Sequence, residues 1–164
     1  MSVTQSARIG GALDLTAISN ARTSLRDASP MHAFKNDADR HFVFEGLHDT
    51  AQAAKDLAEL WVTDVNNLSR VYGYFRREVP HHDDHLNFFG AIRIKETGRT
   101  VHLEKGIREE HGIWVFIPLD TWTTQNGLWT EGTVEVGQDL TIDGLEPITF
   151  NGAGGCVLVA ICLK

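Results

Sequence analysis

Three absences narrow this chain at once. No run approaches the roughly 18 apolar residues that a membrane-spanning helix needs, and the N-terminus lacks the basic-then-apolar order of a secretory signal. The expectation is a soluble, cytoplasmic-type protein or a component of a virion, without contact with membranes. Basic residues are outnumbered, 15 Lys and Arg against 22 Asp and Glu, for a net charge of -7. General nucleic-acid binding needs the opposite balance, because Lys and Arg must displace counterions. Cysteine is scarce, and Cys156 and Cys162 fall within one apparent strand. At ~3.3 Å per residue their Cα atoms would lie about 20 Å apart, too far to bridge, so both read as buried, reduced thiols.

Catalytic signatures are also missing. There is no Gly-x-Ser-x-Gly elbow to present a nucleophilic serine. Gly152-Ala153-Gly154-Gly155 has the composition of a phosphate cradle, but it precedes a strand where the cradle needs a helix N-terminus, so a turn or bulge is expected. No catalytic residue and no organic cofactor is assigned.

What is present is ordinary globular material: 164 residues, 42% hydrophobic and 23% charged, enough for one domain with one core. The clearest local signal runs from Asp49 to Asn67. An acidic N-cap with Gln52 three residues on resembles a capping box, and Ala54, Leu57, Ala58, Trp61, Val62 and Val65 recur at helical spacing. One long amphipathic helix over about 50–67 is predicted, ended by Asn66-Asn67. Arg40–Gly46 alternates as a strand. The β-prone composition of Arg70–Val79 predicts another strand, with continuation of the helix as the alternative. Leu86–Glu96, Arg99–Lys105, the apolar run Ile113–Leu119 and Cys156–Leu163 complete the strands, the last as a central one. Asn126-Gly127, Asp143-Gly144 and Asn151-Gly152 supply turn chemistry that implies a succession of hairpins. The fold class is therefore α+β, strongly β-weighted: an antiparallel β-sandwich or barrel with the one helix packed on it.

Residues 1–39 are polar and poor in core-forming side chains, and read as an N-terminal arm ahead of a single β-rich domain at 40–164. Such an arm, on an acidic body dense in hairpins, favours a structural subunit of a larger homo-oligomeric assembly of virion, tail or capsid type, its partners other copies of itself. Two alternatives stand beside it. His81-His82-Asp83-Asp84-His85, with His102, Glu104 and His111, offers the donors a divalent metal ion takes, as in a small metal-dependent β-barrel enzyme with His81, His85, His102 and His111 as ligands. Cupins, metal-binding β-barrels, open their first motif with two histidines separated by one residue, and this chain has no His-x-His. Trp122 and Trp129 flank the Asn126-Gly127 turn. On a hairpin tip they could stack on sugars, as in a carbohydrate-binding module.

Overall fold

The computed structural model describes residues 7–25, 30–31, 44–47, 51–81, 85–104 and 112–164. Within them the chain runs β1 (Arg8–Gly10), α1 (Leu15–Leu25), β2 (Pro30–Met31), β3 (Phe44–Leu47), α2 (Ala51–Val62), α3 (Val65–Tyr74), β4 (Leu86–Ile94), β5 (Val101–Leu103), β6 (Ile113–Pro118), β7 (Asp139–Asp143), β8 (Ile148–Phe150) and β9 (Val157–Leu163). Seven strands form one antiparallel sheet in the order β1-β7-β6-β9-β4-β3-β2, and β5 with β8 makes a separate two-stranded ribbon. The β-weighted α+β class holds.

The two most apolar segments lie side by side in the middle. β6 faces β9 with Ile113 opposite Leu163 and Pro118 opposite Leu158, and β4 flanks β9 on its other side. Every residue of β6 is buried, as a strand covered on both faces demands. On one face the three helices pack against Val115, Ile117, Val159 and Ile161. The other face is covered by the β5–β8 ribbon and the segment around Trp122, Leu128 and Val134, packed on Phe44, Phe116, Leu140 and Leu158.

The single long helix is two. Asp64 takes an extended conformation and its carboxylate accepts from the Asn66 N–H, starting α3 where continuation was expected. Asn67 lies inside α3, buried, and its side-chain amide donates to the Trp61 carbonyl, which also accepts from the Asp64 N–H at 3.4 Å. The predicted strand at 70–79 is thus helical up to Tyr74. Leu68, Val71 and Tyr72 are buried at helical spacing, so tertiary packing overrides the local β preference, and Gly73 sits on the exposed side. Val65, assigned to the buried stripe, is 70% exposed because the break re-aims it. Asp49 and Thr50, and residues 40–43 of the predicted strand, lie outside the described residues.

None of the three turn signals makes a tight two-residue hairpin: Asn126-Gly127 lies within the long connection between the paired strands β6 and β7, and the other two join strands that do not pair. Asn126 ends a short 3-10 turn (Thr124–Asn126) capped by Thr123, with Gly127 left-handed at φ 115°. β7 and β8 belong to different sheets, as do β8 and β9, so the turns at Asp143 and Asn151 carry the chain from one sheet to the other. The described part of residues 1–39 is built into the same body: β1 pairs with β7, and Ile18, Ala21 and Leu25 of α1 enter the core. Contacts within its own chain therefore offset the ordering of that segment, where contacts to a neighbouring subunit were expected.

Candidate functional site

Strand direction gathers the histidine-bearing segments at one end of the sheet. β4 and β6 both begin opposite Leu163, the end of β9. The Lys164 N–H donates to the His85 carbonyl at 3.1 Å, and the Gly144 N–H donates to the Gly112 carbonyl at 2.8 Å. β8 leaves the same Asp143–Pro147 turn and pairs Ile148 with Leu103, which brings His102 to that end on the ribbon. His81 is exposed, ahead of β4. His85 is half-buried, and its Nδ1 is buried without a hydrogen-bond partner. His102 is exposed, with Nδ1 2.8 Å from the Thr149 hydroxyl. His82, Asp83, Asp84 and His111 lie outside the described residues. Among the described residues no three His, Cys, Asp or Glu side chains form a group that could hold a metal. Of the candidate ligands, His85 and His102 therefore lie toward one end of the fold, and the described ones do not form a finished centre.

Directly inside that end the sheet turns aromatic. Phe88 and Trp114 are 5.7 Å apart, Trp114 stacks on Phe116 at 6.0 Å, and Phe116 meets Trp122 and Trp129 edge-on at 6.2 and 5.7 Å. Trp122 is fully buried and Trp129 half-buried. With no hairpin between them and one ring wholly enclosed, they cannot form an exposed sugar-stacking platform, and the carbohydrate-module expectation fails on this geometry.

A polar cluster that the sequence reading missed lies on the helix face. Asp139 of β7 is 2% exposed and takes both guanidinium nitrogens of Arg70, while the Trp61 indole N–H donates to it at 3.0 Å. Arg70 also donates to the Tyr74 hydroxyl at 3.3 Å. Burial alone would lower the Arg70 pKa, yet the bonds to Asp139 and Tyr74 outweigh it and the net shift is upward. Its partners saturated, this cluster clamps α2 and α3 to β7. The signal was an acid heading an otherwise apolar strand, but its partner lies 69 residues away.

Neither thiol is poised for chemistry. Burial pushes Cys156 up to about 12, so it stays protonated at neutral pH, and Cys162 is also buried.

No protein-family model matches the chain, and no curated protein matches it. Solved structures do. EvdO2 from Micromonospora carbonacea var. aurantiaca aligns over 98% of this chain and 87% of its own, with a TM-score of 0.56 and 12% identity. The same protein complexed with 2-oxoglutarate aligns with a TM-score of 0.54 and 10% identity, over equal shares. These likenesses overturn the reading as a virion, tail or capsid subunit. That reading rested on fold analogy alone, and the fold shared here is that of a protein solved with a small molecule bound.

Proposed function

We propose that the chain is a small metal-dependent enzyme acting on a small molecule, its site at the end of the sheet where β4 and β6 begin and β9 finishes. The observation that carries this reading is the buried, unpartnered Nδ1 of His85. Buried polar atoms in folded proteins are almost always bonded, and an imidazole nitrogen with histidine neighbours is a natural ligand of Zn, Fe, Mn or Ni. His81 lies on the same segment as His85. His102 has one ring nitrogen already held by Thr149, which orients the other, as ligand histidines commonly are. The donor chemistry of His81, His85 and His102 fits a divalent ion. When bound, such an ion supplies Lewis acidity toward a carbonyl or carboxylate oxygen. The complex of EvdO2 with 2-oxoglutarate makes 2-oxo acids the first substrates to try.

Elemental analysis of protein purified without added metal tests this directly. Near-stoichiometric Zn, Fe, Mn or Ni is expected, lost on changing His81 and His85 together to Ala, and 2-oxoglutarate should bind in calorimetry only to the metal-loaded form. Metal-free protein whose melting temperature ignores a chelator would remove the proposal.

A further inference from the structure

Asn126-Gly127 and Asn151-Gly152 are chemically labile dipeptides. Glycine carries no side chain to shield its backbone nitrogen, so that nitrogen reaches the preceding asparagine Cγ and the pair is prone to lose ammonia through a five-membered imide. At Gly152 the fold nevertheless requires the glycine: φ is 90°, and a Cβ would come 2.7 Å from the Arg99 carbonyl oxygen. The Gly152 N–H makes no hydrogen bond among the described residues, and Asn151 is exposed to water.

The Asn151 side chain is also a latch. The Ala153 N–H donates to its Oδ1 at 3.0 Å, which fixes the orientation of the amide. Nδ2 then gives its hydrogens to the Thr124 carbonyl at 3.1 Å and the Leu128 carbonyl at 3.0 Å. Among the described residues, 123–128 are tied to the rest of the fold by these bonds and by one more, from the Cys156 N–H to the Asn126 carbonyl at 3.1 Å. The segment ends in buried Leu128 and follows buried Trp122, which pack in one cluster with Phe116 and Leu140. Only an amide fits the latch. A carboxylate has no hydrogen to give and would set a negative oxygen against two carbonyl oxygens.

We propose that Asn151 is a one-way ageing switch: its conversion to a carboxylate unlatches residues 123–128 and loosens the cover over the aromatic face. The Gly152 nitrogen attacks the Asn151 Cγ and loses its proton as the imide C–N bond forms, and the amide nitrogen leaves as ammonia. Water then opens the ring to aspartate or isoaspartate, with no oxidant or cofactor. The hydrogen bonds on the side chain guard it, so the reaction waits for the latch to lift, and afterwards the latch cannot re-form. Asn126 is better sheltered. It is half-buried, Gly127 is buried, and its side chain accepts from the Thr123 N–H at 2.7 Å and donates to the Thr121 carbonyl at 2.9 Å within its own turn. The switch lies where β9 begins, at the end of the sheet away from His85, and stands independently of the metal reading.

Peptide mapping by mass spectrometry tests the order of events. Native protein kept in mildly alkaline buffer should gain aspartate and isoaspartate at Asn151 before Asn126, whereas in the urea-unfolded chain the two convert together. In the converted protein, hydrogen exchange at the Leu128 and Cys156 amides, whose acceptors are the Thr123 and Asn126 carbonyls, should be about tenfold faster or more, with the β6–β9 ladder unchanged. Asn151→Asp should reproduce that change from the start, and Asn151→Ala, which loses the donors without adding a charge, should show a smaller one. If Asn151→Asp does not fold, protein converted after folding supplies the same reading. Conversion of native Asn126 first, native Asn151 that stays intact, or unchanged exchange at Leu128 and Cys156 in the acid form would each overturn the switch.

Discussion

The two faces of the seven-stranded sheet are both apolar, yet they hold their contents differently. Under the helices, a buried carboxylate, a guanidinium and an indole N–H are locked together by directed bonds among α2, α3 and β7. On the other face, rings from β3, β6, β8 and the 119–134 segment meet edge-on or stacked, with no ion pair between them. Directed bonds specify where each helix sits, because an unpaired buried charge is intolerable. Ring packing specifies volume more than position, and on this face the buried indole nitrogens of Trp122 and Trp129 have no hydrogen-bond partner.

The comparison breaks most sharply at Asp139. Asp139→Ala strands a partly buried guanidinium and should cost about 3–5 kcal/mol in urea unfolding, and Trp61→Ala, a truncated buried aromatic, should cost about 3–5 kcal/mol as well. Their sum should exceed the double variant by roughly 1 kcal/mol or more, since one removes the other's partner. Additive losses would show that the two groups are not coupled.

A methyl group at Gly11 probes the same cluster from outside. The residue sits at φ 86°, and a Cβ there would come 2.6 Å from an Asp139 carboxylate oxygen. Gly11→Ala should therefore destabilise by about 1–3 kcal/mol through strain and displacement of the carboxylate. A neutral result in thermal unfolding would mean that β1 is not held against the clamp.

On the aromatic face the expected losses are smaller for a change that keeps the bulk. Phe116→Leu should cost less than about 1.5 kcal/mol by the same measurement, because neighbouring rings can shift. A loss as large as that of Asp139→Ala would erase the contrast between the faces.

The smallest effect concerns pH. The Cys156 thiol is held up to about 12 in the fold, against 9.0 for the free group. Its contribution to stability is complete below pH 9 and is lost as pH rises from there through about 12, because the unfolded chain releases the proton first. Cys156→Ala should flatten the decline in melting temperature over that range. Native protein should also leave this thiol unalkylated at pH 8, and rapid alkylation there would show that the strand end opens.

How far the sequence could be read depended on the range of the interaction concerned. Burial of β6 and β9 was visible because a strand covered on both faces is apolar at every position. Trp61 and Leu57 were correctly placed on the buried stripe, but the break at Asp64 was not foreseen. Its cap competes with helix continuation by an amount too small for periodicity to register. Asn126-Gly127 marked a turn and was mistaken for a hairpin, since turn chemistry states that the chain bends and not which strand it then pairs with. The histidines were recognisable as donors, while the arrival of His85 and His102 at one end of the sheet followed only from the directions of β4, β5, β8 and β9.

Composition and periodicity by themselves determined that this is a β-weighted α+β chain with two apolar central strands and an amphipathic helical stretch, because those properties belong to single residues and their near neighbours. Tertiary structure decided the rest. Backbone hydrogen bonds in a sheet are the same for every residue type, so strand order is set by how whole faces pack. The fates of Asp139, His85 and the Trp122–Trp129 pair likewise depended on partners, or missing partners, that only the folded chain brings near.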